Sequence, residues 1–177
     1  MLNEKRISEA EVNVKAYLVE GLLKNINQID ANIFNTFRKN STESLKVADH
    51  LFRNNLSYLW AVVCSYYSMY YIANAVLYKL GYKVGEKISH KVTADALIVF
   101  VRKKLKVGLV ESFEDTKNQA LDLAGIKADE LIQSFDYERS KRSRFQYEMA
   151  EEIKIGKAET SLKRAKDFVF EVEKLLV

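Results

Sequence analysis

Thirteen residues in the C-terminal third, Phe135 to Tyr147, interleave four cations (Arg139, Lys141, Arg142, Arg144) with four aromatic rings (Phe135, Tyr137, Phe145, Tyr147). Guanidinium forks bind phosphate bidentately and aromatic rings stack on bases, so this mixture suits a nucleic-acid or nucleotide surface. The same residues also suit a solvated helix face, and spacing alone favours that reading. A second basic run, Arg102, Lys103, Lys104 and Lys106, lies within residues 79–106, which carry eight basic and two acidic side chains, a net +6. The only side chains with an ordinary pKa near neutrality are His50 and His90. A tyrosine-rich tract, Ser65 to Leu77, places rings at 66, 67, 70 and 71 on neighbouring helical faces, with Tyr78 beyond; core packing with hydroxyls at the rim is favoured over ligand contact.

Several chemistries are excluded or unsupported. No GxG occurs, and Gly156-Lys157 is followed by Ala158 without the upstream glycine of a phosphate-binding loop. The two histidines form neither HExxH nor Glu-x-x-His, so the sequence offers no metal site and no cofactor. No GxSxG elbow positions a nucleophilic serine. The single cysteine, Cys64, rules out an intrachain disulfide framework.

These residues must be positioned by helices. The chain has 177 residues, no proline, six glycines, 48% hydrophobic and 29% charged side chains, a balance that predicts one all-α domain with short connections. The net charge of +4 is too mild to identify a nucleic-acid binder by itself.

Ser8 with Glu11 reads as a capping box, and the steps Val12, Ala16, Val19, Leu22, Ile26, Ile29, Ile33 and Phe37 predict one long helix over 8–40. Ser41 would start a second helix carrying Leu45, Ala48 and Phe52, interrupted at Asn54-Asn55. The uncharged residues 54–78 are long enough to cross a bilayer, but their serines, Asn74 and six tyrosines favour a central buried helix, closed by Gly81. After the GYKVG loop, Ser89 would cap a helix through Val92, Ala96, Val99 and Phe100, with the basic run at its end and Gly108 stopping it.

Ser112 with Asp115 predicts the next start, Gly125 a stop, and Ala128, Leu131, Ile132 and Phe135 another helix. Leu162, Ala165, Phe168, Val169, Val172 and Leu176 mark the last. No segment alternates with period two, so no sheet is expected. The start MLNEKRISEA lacks an apolar run after its charges, which predicts no signal peptide and a cytoplasmic location.

The run SYYSMYYIANAVLYKLG, a short loop and then SHKVTADALIVF resembles the HEPN family of prokaryotic helical domains, whose second helix carries a Tyr-Tyr pair and whose next helix opens near Ser-His. The tail is similar too. One branch of the family has an Arg-x-x-Ala-Asp-Tyr element before a last helix of the form A-x-x-x-L-x-x-A-x-x-F-V. Here Arg142 to Tyr147 stands in the first place, and Ala158, Leu162, Ala165, Phe168 and Val169 fill the second. The resemblance covers 41–106 and 136–177, leaving 8–40 as an additional N-terminal helix and the acidic 107–135 as a helical insertion.

The resemblance implies an up-and-down helical bundle, commonly a homodimer, found in RNA-cleaving toxins, in partners of minimal nucleotidyltransferases, and in defence or stress systems. It implies binding of RNA, a nucleotide or a partner such as a nucleotidyltransferase or antitoxin, through Arg139, Arg142, Arg144, Tyr137, Arg102, Lys103 and Lys104. Catalytic members carry Arg, four to six residues, then His, and cleave RNA without metal. Here the fifth residue after Arg142 is Tyr147, with Phe145-Gln146 in place of Ala-Asp, and His90 would have to supply the missing base. Binding is thus the first expectation, metal-independent RNA cleavage by Arg142, Tyr147 and His90 the second, and a structural adaptor the third.

Overall fold

The computed structural model describes residues 2–123 and 155–177. Helix α1, Glu4–Glu20, is capped by Asn3, whose side chain accepts from Arg6 N at 2.7 Å, and ends at Gly21, where φ is 73°. The continuous helix expected over 8–40 is therefore two helices, since a left-handed residue reverses the chain in a way only glycine tolerates cheaply. The buried face of α1 is Ala10, Val14 and Tyr17, while Val12 and Val19, expected on the core stripe, are 63% and 89% exposed. Aliphatic periodicity chose the wrong face because the largest buried ring on α1 is a tyrosine.

Strand β1, Leu23–Asn25, follows and pairs antiparallel with β2, Tyr82–Val84, in the register Leu23↔Val84, Lys24↔Lys83 and Asn25↔Tyr82. This small sheet overturns the expectation of none; three residues per strand are too few to show alternation, and β2 occupies what reads as the GYKVG loop. It fastens the turn after α1 to the turn after the central helix.

Helix α2, Ala31–Arg53, is capped by Asp30, which accepts from Asn32 N at 2.7 Å and Ile33 N at 3.4 Å. It runs straight through Ser41, expected as a new start. Ser41 is buried and donates to the Ser68 carbonyl at 2.8 Å, so its hydroxyl is satisfied across a helix interface instead of at a cap. The stop at Asn54-Asn55 is found, with Asn55 at φ 53°.

Helix α3, Tyr58–Lys79, is the centre of the bundle, as the uncharged tract predicts, and packs against α2 and against the later helices Leu109–Leu123 and Ile155–Glu173. Tyr66, Met69, Ile72, Ala73 and Leu77 are fully buried on it. Each large apolar side chain so buried contributes about 1.5–3 kcal/mol. Its polar groups turn inward onto partners: Asn74 Nδ2 donates to the Tyr70 carbonyl at 2.9 Å and to Thr93 Oγ1 at 3.3 Å. Gly81, at φ 90°, ends the helix as expected.

Helix α4, Ser89–Ala96, follows Ile88, whose φ is 43°; Ser89 is its first residue and not its cap. The regular helix expected as far as the basic run ends at Ala96, giving way to a π-helical turn over Leu97–Val101 and a 3₁₀ turn over Arg102–Lys104. Gly108, at φ 91°, closes the segment. Helix α5, Leu109–Leu123, begins three residues before the expected Ser112 start. Its Phe113 is fully buried, 5.8 Å from the Tyr66 ring and 5.5 Å from Phe168, so this part of the expected insertion belongs to the central core. The expected stop at Gly125 and the start over Ala128, Leu131, Ile132 and Phe135 lie outside the described residues. Helix α6, Ile155–Glu173, buries Ala158, Leu162, Ala165, Phe168, Val169 and Val172, the predicted stripe. Among the described residues no helix is long and apolar enough to cross a membrane.

Candidate functional site

The left-handed Ile88 turns the chain into α4 so that His90 meets the tyrosine face of α3. Its Nδ1 shares a 2.7 Å hydrogen bond with the fully buried Tyr66 hydroxyl. The imidazole centroid lies 4.7 Å from the Tyr70 ring, 5.5 Å from Tyr66 and 6.0 Å from Tyr67. Tyr66 thus packs as expected, while Tyr67 and Tyr70 are half-buried walls around the imidazole. Burial pushes both phenols above the usual tyrosine range, so near neutrality they stay neutral hydrogen-bonding groups.

The half-buried His90 opens onto a cleft of about 370 Å³ between α1, α4 and α5. Arg6 and Glu9 come from α1, Lys91 and Asp95 from α4, and Glu114 and Lys117 from α5. Among the described lining residues three cations face three carboxylates, so with a neutral imidazole their formal charges cancel. Such a surface selects a ligand by hydrogen-bond pattern more than by bulk attraction.

One wall of the cleft is held by a buried carboxylate. Asp95, with no exposed surface, accepts from Arg6 Nη2 at 2.6 Å, Tyr17 Oη at 2.9 Å and Asn13 Nδ2 at 3.0 Å. Arg6 also donates to Glu114 Oε1 from Nη2 at 2.6 Å and from Nε at 3.0 Å. Burial works against the Arg6 charge, but its hydrogen bonds to Asp95 and Glu114 outweigh this and raise its pKa. Burial first, and then the Asp95 charge, push the Tyr17 phenol upward, so it remains a donor. The network ties α1 to α4 and α5 and shapes the cleft.

The sequence-derived sites fall in three places. His90 lies in the cleft. Arg102 is half-buried, with Lys103 and Lys104 exposed, on the 3₁₀ turn at the other end of the segment that His90 begins. Twelve helical residues separate them, roughly 18 Å at 1.5 Å per residue, so His90 and this turn do not share one groove. Lys106, just beyond, donates to Glu171 at 2.7 Å. Arg139, Arg142, Arg144, Tyr137 and Tyr147 lie outside the described residues.

Sequence reasoning missed Arg6, Asp95 and Glu114. One signal was present: Asp95 is the lone charge in VTADALIVFV, and a carboxylate inside an apolar run demands a buried partner. Among the described residues no three His, Cys, Asp or Glu side chains are grouped to hold a metal ion.

The family model of the HEPN domain matches residues 35–175, a span that leaves out α1, β1 and the first turn of α2 and runs through the end of α6. Among curated proteins and among solved structures, none is similar enough to match the chain.

Proposed function

Because the chain belongs to the HEPN domain family, we propose that it is a homodimeric binding module that engages RNA or a nucleotide, seating one nucleotide unit in the His90 cleft. The observation that carries this reading is the imidazole itself, fixed by the buried Tyr66 hydroxyl beside a charge-balanced cleft. The exposed carboxylate Glu9 can accept from base or ribose groups, Lys91 and Lys117 can meet a phosphate, and His90 can bond either. The arginine–aromatic tract of residues 135–147 supports the reading from sequence, as a strand-binding surface beyond the single nucleotide.

Fluorescence anisotropy with labelled oligoribonucleotides tests it. The parent should bind with an affinity that falls as salt rises from about 50 to about 200 mM. His90→Ala should weaken binding roughly tenfold, the loss of one hydrogen bond to a charged group, while its melting curve stays cooperative. Salt-independent binding, or none, sinks the proposal.

A second reading, metal-independent RNA cleavage, draws on the same imidazole. Near neutrality a histidine can take a 2′-hydroxyl proton, and a cation must hold the scissile phosphate; Arg142 and Tyr147 are the family-derived candidates for the remaining roles. It requires cleavage in EDTA that slows markedly in both His90→Ala and Arg142→Ala. Intact RNA after long incubation would remove it and leave the binding module.

A further inference from the structure

Helices α2 and α6 enclose a second concavity, of about 540 Å³, that shares no residue with the His90 cleft. Lys46, His50 and Arg53 climb one side of α2, and Lys166 of α6 stands opposite them. One carboxylate, Asp49, lies between: it accepts from Lys166 and, at 2.7 Å, pairs with Arg53 Nε. Among the described residues the lining thus holds three cations, Lys46, Arg53 and Lys166, against one carboxylate, and Lys46 has no carboxylate partner there. Asp49 draws the Lys166 and Arg53 heads together across the helix interface, a step that an exposed, disordered lysine face would lack. Asn54 Nδ2 approaches His50 Nδ1 at 3.2 Å and donates to the His50 carbonyl at 2.9 Å, which steadies the imidazole at the rim.

We propose that this α2–α6 groove is a second nucleic-acid contact, in which Lys46, His50, Arg53 and Lys166 bind successive phosphates of one RNA strand. It takes from the function proposed above only the identity of the ligand. Lys46 to Arg53 span seven residues, about 10 Å of helix, long enough to meet two neighbouring phosphates of a strand. An acidic peptide is the poorer fit: among the described lining residues Leu45 is the only large apolar side chain, and they present helix faces without a strand edge to extend. The net positive lining also contrasts with the balanced charges of the His90 cleft. The two sites divide the work, one reading a nucleotide and the other holding backbone.

The chain has two histidines, one in each site, so their imidazole proton signals report the sites separately. The full chain, with signals assigned through His50→Gln and His90→Gln, is titrated with a nine-nucleotide oligouridylate, with inorganic phosphate and with an oligoglutamate peptide. The His50 signal is expected to move with the oligonucleotide. In anisotropy, Lys46→Glu and Arg53→Gln should each weaken binding about three- to tenfold, and each should reduce the slope of log K against log salt by about 0.7, the value for one single-strand phosphate.

Among the described residues Lys46 has no ion-pair partner, so Lys46→Glu should keep the parent's melting temperature and remains decisive if Arg53→Gln loosens the fold. A stationary His50 signal with unchanged slopes overturns the groove, as does saturation by inorganic phosphate alone or displacement of the RNA by the peptide. Movement of His50 without His90 upholds the groove and removes the nucleotide cleft; movement of His90 alone does the reverse.

Discussion

Replacing Asp95 by alanine should cost about 3 kcal/mol, and the structure shows where that figure comes from. Asp95 has no exposed surface and accepts from Arg6, Asn13 and Tyr17. Tyr17 is 5% exposed, so its orphaned hydroxyl loses about 1–3 kcal/mol with no water to replace the acceptor. Arg6 keeps Glu114, and its side chain is 23% exposed, so solvent recovers part of what it loses. Asn13 is half-buried and can turn to water. The sum sits at the low end of the roughly 3–5 kcal/mol observed when one partner of a buried pair is removed.

For a chain of this size each kcal/mol lowers the melting temperature by about 2–4 °C, so Asp95→Ala should melt about 6–12 °C below the parent. Urea titration followed by helical circular dichroism gives the free energy directly. Tyr17→Phe supplies the cross-check: it should cost about 1 kcal/mol in the parent but regain about 1–3 kcal/mol in the Asp95→Ala background, where it removes the orphaned hydroxyl, a coupling expected only if the two groups bond each other. A variant within about 0.5 kcal/mol of the parent, or strictly additive changes, would refute the view that Asp95 clamps α1 onto the bundle.

Two further outcomes are expected. Ala73→Asp places an unpaired carboxylate at a fully buried position of α3 and should cost more than about 4 kcal/mol, seen as insoluble expression or loss of the cooperative thermal transition. Asp49 is held below the usual aspartate range by its hydrogen bond to Lys166, with burial opposing. Its folded pKa thus lies below its unfolded value. The Asp49 contribution is present above about pH 4 and lost as pH falls through the folded value. Asp49→Asn should flatten the parent's fall in stability between about pH 5 and pH 2, measured by urea midpoints across that range. Parallel pH profiles would show that the bridge between α2 and α6 carries no linkage.

Much of the architecture follows from short-range order along the chain. The uncharged tract over residues 54–78, with its serines and tyrosines, reads as a buried centre, and the spacing Leu162, Ala165, Phe168, Val169 and Val172 names the inward face of α6 without any knowledge of its partners. Asn55 and Gly81 ended their helices where expected because left-handed backbone is a property of one or two residues. Where local rules failed, a competing partner lay elsewhere. Ser41 has the chemistry of a cap but finds its acceptor on Ser68, and the aliphatic steps of α1 continued past Gly21 into a strand whose ladder lies 57 to 61 residues onward.

The cleft depended most on the fold. Arg6 reaches Asp95 across 89 residues and Glu114 across 108, and both histidines acquire their surroundings only when helices distant in sequence are brought side by side. Composition and periodicity state how much surface each helix must bury, because burial acts on any apolar neighbour alike. Hydrogen bonds and ion pairs depend on which particular atoms meet, at distances near 3 Å, and that meeting is settled by packing. The all-α bundle was therefore readable from residue order, while the identity of the groups facing His90 and flanking Asp49 was a product of the assembled helices.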